Sequence, residues 1–122
     1  MYRLFLLACL LCLACAAALA QDVVTVPGGA ETHKVLLDNA HVRVLDVHIK
    51  PGEKVAMHSH PASVVYCVTD AKIKFNFPDG TTKVGECKAG TAAWREPGTH
   101  AVENVGTAEF HLVQTEMKGD MK

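Results

Sequence analysis

The residues best able to do chemistry in this 122-residue chain are its seven histidines: His33, His41, His48, His58, His60, His100 and His111. Two of them stand two apart, as His58-Ser59-His60. If that stretch is a strand, positions i and i+2 face the same side, about 6.6 Å apart along the chain. Imidazoles leaving one face at that spacing can converge on one divalent ion, each nitrogen at about 2.0–2.1 Å. Pro61 follows at once and stiffens the exit. A third ligand has to come from another strand. His100 is the candidate, because it follows the Pro97-Gly98 turn and opens a strand. Two surface histidines on an edge strand would read the same way, so the pair alone does not establish a site.

A neutral three-imidazole site leaves a divalent ion its full charge and open positions. Fe(II) held in this way can take O₂ and a chelating substrate side by side. Zn(II) would instead acidify a bound water and favour hydrolysis or hydration. A general acid or base is harder to find. Tyr66 is in phase with Val64, and its hydroxyl is the candidate catalytic group if it faces a pocket; a tyrosine of the core is the plainer reading. Arg95 could meet a carboxylate substrate or simply be solvated. Trp94, Phe75 and Phe77 are expected in the core or a pocket wall. Glu103 is out of phase with His100 and Val102 and is expected to face outward. His33 and His41 lie in polar, loop-like surroundings and are expected to be solvated. His48 shares a phase with Val44 and Asp46, and His111 shares a face with Val113. Cys67 and Cys87 either form a disulfide or sit as two buried thiols.

These residues must be held by short strands. Val42 to Ile49 alternates, with one apolar and one mixed face. Pro51-Gly52 ends that segment with a turn. Val64 to Val68 is β-branched and aromatic, as a buried strand should be. Lys72 to Phe77 alternates strictly, so Ile73, Phe75 and Phe77 point to one side. Pro78-Asp79-Gly80 reads as a hairpin turn, Thr82 to Glu86 as its return strand, and Ala89-Gly90 as a turn. Ala92 to Trp94, His100 to Asn104 and Glu109 to Glu116 complete the set. No stretch keeps a helical period over three turns. Short strands between Pro/Gly turns imply an all-β sandwich or barrel.

The first twenty residues differ from the rest. Met1-Tyr2-Arg3 is a positive start, Leu4 to Ala17 is almost wholly apolar, and Ala18-Leu19-Ala20 has the small-x-small cleavage pattern. Residues 1–20 are expected to be a secretory signal peptide, the rival being an uncleaved anchor. Removing them from 122 leaves 102 residues, enough for one modest core. Arg3 is the one charge lost, so 11 basic residues face 13 acidic ones, a balance of −2. That balance points to neither nucleic acid nor, after cleavage, a membrane surface as partner. Three of the five cysteines leave with the leader. The mature protein is expected to be periplasmic or secreted.

Two longer patterns carry a resemblance. Gly52, five residues, then His58-Ser59-His60-Pro61 is similar to the first motif of the cupin superfamily. Gly90, Pro97-Gly98, His100 and Asn104 resemble the second, though six residues rather than five separate Gly90 from Pro97. A two-strand hairpin lies between the motifs, as that family has it. The resemblance covers about residues 40–116, and the run HSHP-x-SVVY is similar to the small single-domain members. It implies a single jelly-roll β-barrel. The implied metal ligands are His58, His60 and His100, holding one divalent Fe, Mn, Ni, Cu or Zn ion per chain. The family's fourth ligand is a glutamate six residues after the first histidine, where this chain has Val64. Three outcomes stay open: a three-histidine centre, a fourth ligand recruited from His48, His111 or Gln114, or weak binding without catalysis. The resemblance implies either a three-histidine dioxygenase or isomerase acting on a small molecule, or a non-catalytic periplasmic binding module. Small members pair through sheet edges, so a homodimer is an expectation too. The expected organisation is a leader over 1–20, an arm over 21–39, the cupin domain over 40–116 and a polar tail over 117–122.

Overall fold

Among the described residues nine strands form in the order the turns dictate: β1 (His33–Asp38), β2 (Val42–Ile49), β3 (Lys54–His60), β4 (Ser63–Cys67), β5 (Ala71–Asn76), β6 (Thr82–Cys87), β7 (Ala92–Arg95), β8 (Gly98–Glu103) and β9 (Phe110–Met117). The computed structural model describes residues 20–119. The expected leader over 1–20 lies, except for Ala20, outside the described residues. The strands build two antiparallel sheets, one ordered β1-β2-β9-β4-β7 and the other β3-β8-β5-β6. The central strands of the larger sheet, β2, β9 and β4, alternate. Leu45, Val47 and Ile49 of β2 and Phe110 and Leu112 of β9 are buried, and their neighbours are less so. One face packs on the other sheet and one meets solvent, as an antiparallel sheet allows.

The hairpin of β5 and β6 turns at Pro78-Asp79-Gly80, where Gly80 has φ 84°, a left-handed conformation that favours glycine. Asp79 Oδ1 accepts from the Thr81 backbone at 2.9 Å and closes that turn. Asn104 is 1 % exposed; its Nδ2 donates to the carbonyls of Ile49 (2.7 Å) and Ala108 (2.9 Å). One side chain thereby satisfies the backbone of the β8–β9 connection.

The stretch 21–39, expected as an arm, packs onto the sheets. Residues His33–Asp38 pair with β2 as an edge strand. Ahead of it, a 3-10 turn at Val23–Thr25 and a short helix, α1 (Gly29–Thr32), close over β3. Val23 is fully buried and Val26 is 5 % exposed, so both belong to the core. Backbone bonds from Ala56 to the Pro27 carbonyl (3.0 Å) and from Ser59 to the Gln21 carbonyl (2.8 Å) seal the segment onto β3. Gly29 is required there, because a Cβ would lie 1.6 Å from the Val23 carbonyl oxygen. The C-terminal boundary moves by one residue, with Met117 inside β9.

Cys67 ends β4 and Cys87 ends β6, and the two are joined as a disulfide with Cα atoms 5.6 Å apart. The bond staples one sheet to the other.

Candidate metal centre

His58 and His60 both enter the interior because β3 carries a bulge. Val55 pairs with Val102, and His58 pairs with His100. Three steps on β3 thus match two on β8, leaving one extra residue. Without it, Val55 facing inward would send positions 57 and 59 inward. With it, Val55 (1 % exposed), His58 (1 %) and His60 (8 %) are all buried. The bulge is held from both sides. The Ala56 amide donates to the Pro27 carbonyl, and the Ala56 carbonyl accepts from His58 Nδ1 at 2.7 Å.

The third ring comes from the neighbouring strand. His100 is the cross-strand partner of His58, so the register of β3 on β8 brings the two together. One ligand nitrogen from each of His58, His60 and His100 lies within 4.8 Å of the others. The ring centroids are 4.7 Å (His58–His60), 4.9 Å (His58–His100) and 5.6 Å (His60–His100) apart. Imidazoles bound to one ion at the usual metal–nitrogen distance place their centroids roughly 4.5–5.2 Å apart, so the triad is close to a binding arrangement.

Hydrogen bonding selects the nitrogen each ring offers. A carbonyl can only accept, so His58 Nδ1 carries the proton it gives to Ala56 and its Nε2 is left for a metal. Glu116 does the same for His60, accepting from Nδ1 at 2.6 Å. Glu116 is 2 % exposed, and its other oxygen accepts from Arg43 Nε at 2.6 Å. Arg43 in turn donates to Asp22 at 2.8 Å. A carboxylate behind a ligating histidine fixes the ring and raises its basicity. His100 packs on Phe75, centroids 5.0 Å apart. Burial pushes the His58 imidazole down to about 4 and the His100 imidazole to about 3, the latter helped by its histidine neighbours. Both rings are therefore neutral at pH 7, the form a metal needs.

The triad opens into a cavity of about 620 Å³, within the range of small-molecule sites. Val47, Ile49, Ile73, Phe75, Phe110 and Leu112 make its apolar wall, and Phe77 joins Phe75 as expected. The exposed Lys83, Glu86, Arg95 and Glu96 border it at the rim. Arg95 is thus both solvated and at the entrance.

Several expectations are corrected. Tyr66 is not a pocket residue: it is 47 % exposed, on the outer face of β4. Its phase match with Val64 is real, but Val64 faces outward too. The Pro61-Ala62 turn moves the chain from one sheet to the other, and β4 restarts with Ser63, Val65 and Cys67 inside. The inward neighbour of the missing glutamate position is therefore Val65, which lines the cavity. Trp94, opposite Val64, is likewise outside at 46 % exposure. Of the three recruits for a fourth ligand, His48 and His111 lie on the outer face of the larger sheet. Only Gln114 borders the cavity, with its Nε2 donating to Ser63 at 3.0 Å. Glu103 faces away from the triad and pairs with Lys54 at 3.8 Å, and His41 is exposed.

His33 is the largest departure. It is 5 % exposed rather than solvated and borders the cavity. Its centroid is 6.0 Å from His58 and 6.2 Å from His60, too far to share the ion with them in this arrangement. Thr32 Oγ1 sits 2.8 Å from its Nδ1. Burial, then its histidine neighbours, hold its pKa near 3. Glu116 and Arg43 were also missed. Their signal was present: each is a charged residue in phase with the buried apolar series of its strand.

No protein-family model matches the sequence, and no curated protein is significantly similar to it. Solved structures are similar. A cupin domain from Bordetella pertussis has 28% identity and a TM-score of 0.66, over 71% of this chain and 92% of that one. A conserved protein with a double-stranded β-helix domain from Klebsiella pneumoniae has 25% identity and a TM-score of 0.57, over 74% and 78%. An RmlC-like cupin from Methanocaldococcus jannaschii shares the fold at 11% identity and a TM-score of 0.57, over 70% and 78%. The two facing antiparallel sheets and these likenesses together show the double-stranded β-helix fold of small cupin domains, with a candidate metal centre inside it.

Proposed function

We propose that this chain is an exported cupin that holds one divalent transition metal on His58, His60 and His100 and uses it on a small molecule in the adjoining cavity. One observation carries the reading: in a largely apolar cavity, three histidines converge, two with Nδ1 tied to fixed acceptors so that Nε2 is presented. When bound, a metal there would supply Lewis acidity and open positions for a chelating substrate or O₂. The protein's own residues do the rest. Glu116 and the Ala56 carbonyl orient the rings, the apolar wall excludes water, and His33 offers a neutral imidazole beside the ligand space. That division of labour fits a dioxygenase or an isomerase. Export is proposed from the leader-like residues 1–20, and the Cys67–Cys87 disulfide suits an oxidising compartment.

The second reading is a non-catalytic metal- or ligand-binding module. It is favoured by Val64 and Val65, which stand where the family carboxylate would act, and by the full engagement of Glu116 behind His60.

Elemental analysis of the purified mature protein tests the common core of both. One equivalent of metal per chain, lost in a His58/His60/His100 triple alanine variant, is expected. Metal content that the triple variant leaves unchanged would remove the reading. Oxygen uptake by the Fe(II)-loaded protein across a panel of small chelating acids then separates oxygenase from isomerase or binder.

A further inference from the structure

The outer face of the larger sheet carries a second group of ligating side chains, on the opposite side of the sheet from the cavity. His48 of β2 and His111 of β9 are direct cross-strand partners. Asp46 is two residues before His48 on the same strand and therefore on the same face. All three are only partly buried, with side chains 42 %, 22 % and 26 % exposed for His48, His111 and Asp46. Solvent and ions reach them.

The two rings stack, centroids 3.8 Å apart and planes 22° from parallel. Stacking aims both ring edges the same way, and both Nε2 atoms meet one carboxylate. His111 Nε2 is 2.7 Å from Asp46 Oδ1, and His48 Nε2 is 3.1 Å from Asp46 Oδ2. Ligands in neighbouring positions around a six-coordinate ion, at metal–ligand distances near 2.0–2.1 Å, are roughly 2.9 Å from each other. The two distances bracket that value. All three ligand atoms lie within 4.8 Å of one another.

The fourth member is Glu109, whose Oε1 is 3.1 Å from His48 Nδ1. A carboxylate accepts only, so Nδ1–H points to Glu109; once Asp46 turns from accepting the Nε2 proton to ligating an ion, Nε2 is the atom that ring can offer. This is the same device that Glu116 provides for His60. Asp46 and Glu109 bring two negative charges to the group, and Lys34, opposite Asp46 on β1, makes no ion pair with it among the described residues. A divalent cation in place of the ring protons would balance that charge.

We propose that Asp46, His48 and His111 form a second divalent-metal site, on the solvent face of the sheet. Two imidazoles and one carboxylate suit zinc, copper, nickel or ferrous iron rather than calcium or magnesium. The remaining positions of the ion point to solvent.

The experiment is equilibrium dialysis of the mature protein against Zn(II), with zinc counted by elemental analysis. It compares wild type, His48→Gln/His111→Gln and His100→Ala, with circular dichroism to confirm that each variant is folded. The outer substitutions are at partly exposed positions and keep hydrogen-bonding capacity. Two zinc equivalents in wild type and one in the outer double variant are expected, with the outer equivalent kept when His100 is replaced. One equivalent in wild type that disappears in the outer double variant would uphold this site and remove the inner one. Zinc content identical in wild type and the outer double variant would overturn the proposal. If the outer variant does not fold, Asp46→Asn read in the same assay decides by the same criterion.

Discussion

Glu116 ties the interior metal centre to the N-terminal segment, and Glu116→Gln tests how. Its carboxylate is 2 % exposed and accepts two charge-assisted bonds at 2.6 Å, from His60 Nδ1 and from Arg43 Nε. Glutamine keeps the volume but has one acceptor oxygen and one NH₂. With the NH₂ toward Arg43 two donors collide; with it toward His60, Nδ1 must accept and the ring proton moves to Nε2, the atom a metal needs. A buried donor left unsatisfied costs about 1–3 kcal/mol. Breaking a buried ion pair costs about 3–5 kcal/mol, but Arg43 keeps its bonds to Asp22 at 2.8 and 3.1 Å. The low end applies, so the metal-free variant should be about 3 kcal/mol less stable by urea unfolding. Metal affinity should fall on its own account. Loss of the carboxylate behind a ligating histidine weakens binding about 10–100-fold. Competition against a chromophoric chelator measures this on the folded protein. A stability loss with metal affinity within about threefold of wild type would show that Glu116 is structural only, and the account of His60 orientation would fail.

Three further outcomes are expected. Stability of the metal-free protein should fall as pH drops below 6.5, because unfolded histidines take up protons there while folded His58 does not until about 4, nor His33 and His100 until about 3. Each contributes about 1.4 kcal/mol per pH unit between those limits, so melting temperatures flat from pH 7 to 4.5 would contradict the burial of these rings. Tyr66→Phe should leave metal content and any turnover unchanged, because the side chain is on the outer face; a loss of either would place the hydroxyl in the cavity. Reduction of the Cys67–Cys87 bond, which closes a 20-residue separation, should cost about 3 kcal/mol, seen as a lower urea midpoint in Cys67→Ser/Cys87→Ser.

Most strands were legible because their evidence is local. Lys72 to Phe77 alternates, Pro78-Asp79-Gly80 turns and Thr82 returns, and β5 and β6 lie where that pattern puts them. The edge strand β1 was not legible. Its run Val35-Leu36-Leu37 is 42–53 % exposed and crosses a register shift, so no alternation marks it. An edge strand pairs on one side only, and its side chains report the core weakly.

The sequence by itself determined the all-β class, the turns and the three metal-ligand candidates, since each rests on spacing along a few residues. Tertiary structure decided which way those residues face. The His58-Ser59-His60 pair points inward only because a bulge at Ala56-Met57 reverses the phase set by Val55. His100 reaches it only through the β3–β8 register, and Tyr66 misses the cavity because phase does not carry across the Pro61-Ala62 turn into another sheet. His33 and Glu116 arrive from opposite ends of the chain, and Glu109 meets His48 across 61 residues. Such encounters depend on sheet pairing and packing, which no local period encodes.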